Sequence, residues 1–155
     1  MAAVELCLPA DVAYVWLAHL VVCAAARQSG MSDERVEDLR IAVSEATTNA
    51  VTAHRRAGLD QPVVLRFGAT EDHTFEVTVV DSGPGFEPVT RASMNGRDWT
   101  IEGGLGVTII RELADDVRFL QADGMRVSMR FAVDLDANRP EPALDGQADL
   151  STRRG

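Results

Sequence analysis

The chain has 155 residues, a length that suits one domain with a tail, and a net charge of −9 from 24 acidic and 15 basic side chains. That balance excludes a sequence-independent grip on DNA, RNA or an anionic membrane, each of which needs a basic surface. There is no lysine in the sequence, so no amine is present to cradle a phosphate or form a Schiff base. Cys7 and Cys23 lack neighbours at metal-ligand spacing and are expected to be buried free thiols, as in a reducing cytoplasm. No charged segment leads an apolar run at the N-terminus, so no signal peptide is expected. The longest apolar stretch, Val12 to Ala26, is shorter than the ~20 residues a bilayer span takes, and it contains His19.

Ala3 to Leu8 alternates weakly and predicts an edge strand ended by Pro9. Asp11 is the cap candidate for a first helix in which Val12, Trp16, Leu20 and Cys23 recur at helical spacing. This helix is apolar nearly all round, and burial in the core is expected in preference to a partner contact. Gly30 ends it. Ser32 opens a second helix, with Asp33 and Glu34 suited to its first-turn dipole. Val36, Leu39, Val43, Ala46 and Ala50 form its apolar stripe, and it is expected to run to about His54. Pro62–Ala69 and Thr74–Val80 predict strands close enough to pair as a hairpin. From Asp81 to Gly106 the periodicity stops, and six glycines and two prolines are spread over 26 positions. A loop of that length inside a compact domain is expected to be functional or disordered. Val107–Ala114 predicts a short helix. Val117–Ala122 and Met125–Val133 predict strands joined at Asp123-Gly124, a strong hairpin signal. The order implies an α+β two-layer sandwich, a mostly antiparallel sheet covered on one face by helices.

Three clusters carry chemistry. Glu45 and Asn49 stand four residues apart on one face of the second helix, away from its Ala46/Ala50 stripe, with Thr48 beside them. Asn offers a neutral oxygen to Mg²⁺, and Glu can take a proton from a nucleophile. Read alone, the pair is a solvated helix face. Asp81-Ser82-Gly83-Pro84-Gly85 follows directly on a strand. A carboxylate there can accept from an exocyclic amine such as that of adenine, with glycines allowing close approach; read alone, it is good turn chemistry. Gly103-Gly104-Leu105-Gly106 leads into a helix whose first-turn N–H groups, with the Thr108 hydroxyl, suit a phosphate. A lone Gly-x-Gly is a weak signal, and no Gly-Lys-Ser/Thr follows to make a P-loop.

In order the three give Glu-x-x-x-Asn, Asp-x-Gly-x-Gly and Gly-x-Gly opening a helix. This resembles the ATP-binding module of the GHKL superfamily, the Bergerat fold shared by histidine kinases, gyrase-type ATPases and Hsp90-type chaperones. The closest likeness is to the small bacterial anti-sigma factors that are serine protein kinases. Asp38 to Val51 looks like their N-box, Val80 to Phe86 like their first glycine box and Glu102 to Asp116 like their second. The likeness covers roughly residues 3 to 133 and implies a histidine-kinase-like ATP-binding domain over 1–133, with 134–155 a disordered tail. Neither a phosphoacceptor hairpin nor a transducer domain is expected beside it.

The resemblance implies ATP (or ADP) and Mg²⁺ as cofactors. Asp81 would bind the adenine amine and Asn49 would ligate Mg²⁺. Gly83, Gly85, Gly103, Gly104, Leu105, Gly106 and Thr108 would line the nucleotide, and Phe86 to Gly103 would form a lid. Glu45 would be the general base that takes the proton from a serine of a STAS-type anti-anti-sigma partner, phosphorylation freeing the kinase to hold a sigma factor. The family and the apolar first helix imply a homodimer in the cytoplasm. Glu102 departs from relatives that carry an Arg there for the γ-phosphate, and Arg91 and Arg97 are the candidates to replace it. A nucleotide-binding regulator without kinase activity is the alternative. His19 reads as a packed core residue and His73 as surface. His54 stands five residues beyond Asn49, where relatives often have a His after four, and no role is assigned to it.

Overall fold

A computed structural model describes residues 3–83 and 104–133. In chain order these form strand β1 (Val4–Leu8), a 3₁₀ turn (Val12–Tyr14), α1 (Val15–Gln28), α2 (Asp33–Ala57), β2 (Val63–Ala69), β3 (Thr74–Asp81), α3 (Gly104–Leu113), β4 (Asp116–Ala122) and β5 (Gly124–Ala132). One five-stranded sheet runs β1-β2-β3-β5-β4, with every neighbouring pair antiparallel. The expected two-layer α+β sandwich is therefore present. The expected lid and C-terminal tail lie outside the described residues.

Alternation decides which face of the sheet is covered. Leu65, Phe67, Phe75, Val77, Val79, Val127, Met129 and Phe131 all point to one side and are buried. Their neighbours on the other side are mostly polar: Thr78 and Ser128 pair across β3 and β5 and share a hydroxyl hydrogen bond of 3.0 Å. α1 and α2 cover the apolar side, and α3 packs against α2.

α2 is the central element. Ser32 caps it by accepting from the Arg35 N–H at 3.4 Å, as the sequence implies. Val36, Leu39, Val43, Ala46 and Ala50 are all buried on its core stripe. At its start, Arg35 donates to the Leu113 carbonyl at 3.2 Å and to the Asp115 carboxylate at 2.5 Å, and its guanidinium lies 5.5 Å from the Phe131 ring centroid. Asp115 in turn accepts from the Ala132 N–H at 2.7 Å. This cluster ties the end of α3 to both α2 and the sheet.

Three expectations need correction. Val12, Trp16 and Leu20 do not enter the core: they are 51%, 57% and 53% exposed. The buried face of α1 is instead Ala18, Val22, Cys23 and Ala26, where small residues admit close packing beside α2. Cys7, expected to be buried, is exposed on the outward side of β1, while Cys23 is buried as expected. His19 is only half-buried, with Nδ1 3.0 Å from the Ser44 hydroxyl. No described helix is long and apolar enough to cross a membrane.

The β4–β5 hairpin meets the end of β3 at Gly124, which has φ +138°, and a Cβ there would stand 1.9 Å from the Asp81 carbonyl oxygen. No side chain fits without parting the hairpin from β3. Gly124→Ala is expected to destabilise the fold by about 2–4 kcal/mol, read from the urea midpoint at unchanged m-value.

Candidate functional site

Glu45 and Asn49 lie half-buried on one face of α2, one turn apart, as the spacing requires. Ala53 continues the same row by another turn. The three positions thus span about 12 Å along the helix axis. Two other segments close on this row.

The first is the start of α3. The helix begins at Gly104, earlier than the Val107 expected from sequence. The glycines read as a loop are drawn into its first turn, which packs on α2 at Gly106. The N–H groups without an intrahelical partner therefore belong to Gly104, Leu105 and Gly106. Gly106 is buried, and a Cβ built there would lie 2.9 Å from Glu45 Oε2 and 3.2 Å from Asn49 Nδ2. A helix-interior glycine costs about 0.8–1.0 kcal/mol against alanine. Position 106 meets that cost because its backbone sits directly on the Glu45–Asn49 pair. Leu105 and Thr108 are exposed beside it.

The second is the end of β3. Asp81 is its last residue and is buried to 7% exposure. Asp81 Oδ1 accepts from the Gly83 N–H at 2.8 Å. A Cβ on Gly83 would lie 3.0 Å from both Ala53 Cβ and Asp81 Oδ1. Asp81 therefore stands at the Ala53 end of the row, and Gly106 at the Glu45–Asn49 end. Burial pushes the Asp81 carboxyl above its ordinary range, against the opposing influence of the Gly83 and Met125 N–H groups. A buried acid so disposed favours a ligand that brings a hydrogen-bond donor to it.

Sequence reasoning assigned no part to His54, yet it is fully buried beside this site. Its Nδ1 lies 2.9 Å from the Gln61 carbonyl oxygen, and its Nε2 accepts from the Ser82 N–H at 2.7 Å. The available signal was periodicity: His54 is four residues beyond Ala50 and continues the apolar stripe, not the Glu45–Asn49 face. Of the expected site residues, Glu45, Asn49 and Gly106 are brought into one cluster, and Asp81 and Gly83 into another on the same helix face. Gly85, Gly103, Arg91, Arg97 and Glu102 lie outside the described residues. Among the described residues no group of three or more His, Cys, Asp or Glu forms a metal cluster.

A helix row carrying an amide and two flanking glycine turns, one with a buried acid, defines an ATPase-type nucleotide fold. Residues 8–131 match the histidine kinase-like ATPase domain, and the chain belongs to that family. Among curated relatives it is 35% identical over 133 residues to the serine-protein kinase RsbW of Bacillus subtilis (strain 168), covering 81% of this chain and 82% of that one. It is 36% identical over 133 residues to the serine-protein kinase RsbW of Listeria monocytogenes, covering 81% of this chain and 84% of the relative. The fold is shared with the RsbU and RsbW domains of Rv1364c from Mycobacterium tuberculosis at a TM-score of 0.64 and 14% identity, covering 86% of this chain and 33% of that longer one. It is also shared with a chain of the SiaB–SiaC complex from Pseudomonas aeruginosa at a TM-score of 0.55 and 12% identity, covering 83% of this chain and 87% of that one.

Two substitutions separate site from scaffold. Gly106→Ala displaces the flexible end of Glu45 and the Asn49 amide rather than core atoms. Folding stability is expected to stay within about 1 kcal/mol of wild type, while Mg·ATP affinity drops about tenfold, a loss of ~1.4 kcal/mol in titration calorimetry. Asp81→Asn keeps the acceptor for Gly83 and removes a buried charge. Folding raises this pKa above 3.8, so ionised Asp81 lowers stability at neutral pH, and that cost fades as pH falls through the folded pKa. The variant should melt higher than wild type at neutral pH, with the difference shrinking toward acid, while binding Mg·ATP more weakly.

Proposed function

We propose that this chain binds Mg·ATP along the Glu45–Asn49–Ala53 face of α2 and passes the γ-phosphoryl group to a serine of a STAS-type anti-anti-sigma protein. By that transfer it governs the release and capture of a sigma factor. One observation carries the reading: the backbone of Gly106, in the first turn of α3, lies against both Glu45 and Asn49. A proton acceptor, a neutral oxygen ligand and free helix N–H groups then meet at one point. Phosphoryl transfer needs that combination, because its catalysis is positioning plus charge stabilisation. The names of the RsbW relatives support the serine-kinase reading.

Asp81 accepts from the adenine amine, and its burial makes that hydrogen bond selective for a base offering a donor. Gly83 lets this turn close on Ala53 and keeps the acid at the edge of the pocket. Gly104, Leu105 and Gly106 offer N–H groups to the phosphates, with Thr108 on the same turn. Asn49 supplies the oxygen ligand for Mg²⁺, which when bound neutralises the phosphate oxygens. Glu45 takes the proton of the incoming serine hydroxyl.

The exposed row Val12, Trp16 and Leu20 is read as the homodimer contact, since large apolar side chains on the 3₁₀ turn and on one face of α1 need cover. Free thiols at Cys7 and Cys23 fit a cytoplasmic protein. Glu102 in place of an arginine favours a second reading, a nucleotide-dependent anti-sigma module without phosphotransfer.

Glu45→Ala is expected to keep Mg·ATP binding and to lose about 10²-fold or more in the rate of [γ-³²P] transfer to the STAS partner. Wild-type protein that binds ATP and a sigma factor but leaves the partner unlabelled would establish the second reading. In sedimentation, Leu20→Glu should turn a wild-type dimer into a monomer of unchanged melting temperature.

A further inference from the structure

His54 holds two groups whose hydrogen-bonding roles cannot be exchanged. The Gln61 carbonyl oxygen can only accept, so Nδ1, at 2.9 Å, must carry the proton. The Ser82 N–H can only donate, so Nε2, at 2.7 Å, must present its lone pair. The ring is fully buried and is fixed in one neutral tautomer by these two partners. Ser82 links Asp81 to Gly83, the residue whose N–H binds the Asp81 carboxylate at 2.8 Å. His54 therefore grips the middle of the three-residue turn that aims the acid. The adjacent residue, Ala53, meets the same turn at Gly83.

The geometry points to His54 as a positioning residue that fixes the Asp81 carboxylate for recognition of the adenine amine by anchoring the Ser82 peptide to the last turn of α2. This rests on the nucleotide reading above and adds a residue on the core stripe to a site built on another face of the helix. His54 touches no ligand in this account. It acts through the turn, so its loss blurs the acid's position and weakens binding of a base that offers a donor.

The experiment measures Mg·ATP and Mg·GTP affinity by calorimetry, with melting temperature, for wild type, His54→Leu, His54→Gln, Asp81→Asn and both His54 variants combined with Asp81→Asn. Leu keeps the volume and removes both hydrogen bonds, whereas Gln restores an acceptor for Ser82. His54→Leu should weaken ATP binding about tenfold and flatten the preference over GTP, and His54→Gln should recover most of that loss. In the Asp81→Asn background the His54 penalty should shrink to under about twofold, since the group it positions has changed. Equal penalties in both backgrounds, or an unchanged ATP/GTP ratio, would assign His54 to folding alone and overturn the proposal. If His54→Leu does not fold, the Gln arm and the wild-type imidazole ¹⁵N spectrum decide: an Nε2–H tautomer contradicts it. Wild-type protein that binds no Mg·ATP overturns the nucleotide reading itself, which the variants' mutual differences cannot mimic.

Discussion

The contact of Gly106 with Glu45 and Asn49 is the constraint on which the site depends. A glycine inside a helix is unfavourable, and alanine would serve α3 better. The space is nonetheless left empty of a side chain, because the Glu45 carboxylate and the Asn49 amide occupy it from α2. That choice brings the amide-rich end of one helix onto the polar face of another.

The opposite end of the row works through burial rather than close approach. Asp81 ends the central strand β3 and is held from three directions, by the Gly83 N–H, by the hairpin turning at Gly124, and by His54 through Ser82. Desolvation raises the carboxyl's pKa, so the acid is kept at a cost to the fold. A buried acid kept at such a cost is a candidate for a group retained for binding. α2 unites the two ends. Its core stripe anchors it across the sheet, and its second face carries Glu45, Asn49 and Ala53. Arg35 fixes its start through Leu113 and Asp115, so α3 is held at its C-terminal end while its N-terminus meets the site.

Much of this was legible before any coordinates. The stripe of α2, the Ser32 cap, the paired strands and the Asp123-Gly124 turn all follow from local pattern, and each is present. Glu45 and Asn49 shared a face by spacing alone. What the pattern did not carry was orientation where it was ambiguous. α1 is apolar on all sides, so periodicity could not say that small Ala18 and Ala26 would face inward while Trp16 and Leu20 stayed out. The onset of α3 was misplaced because glycine propensity argues for a loop, and packing against α2 overrode it. His54 was passed over because it stands five residues beyond Asn49, where relatives often have a His after four. Only the three-dimensional approach of Ser82 and Gln61 supplies its partners. Cys7 was misjudged because β1 is an edge strand whose alternating face is open.

The central claim is that one purine nucleotide contacts both ends of the α2 row. A ¹⁵N-edited NMR titration with Mg·ATP tests it most directly. The account predicts that the Asn49 side-chain amide and the backbone amides of Ser82, Gly83 and Gly106 shift along a single saturation curve with one dissociation constant. Shifts confined to one end of the row, or curves with different midpoints for Gly83 and Gly106, would contradict it.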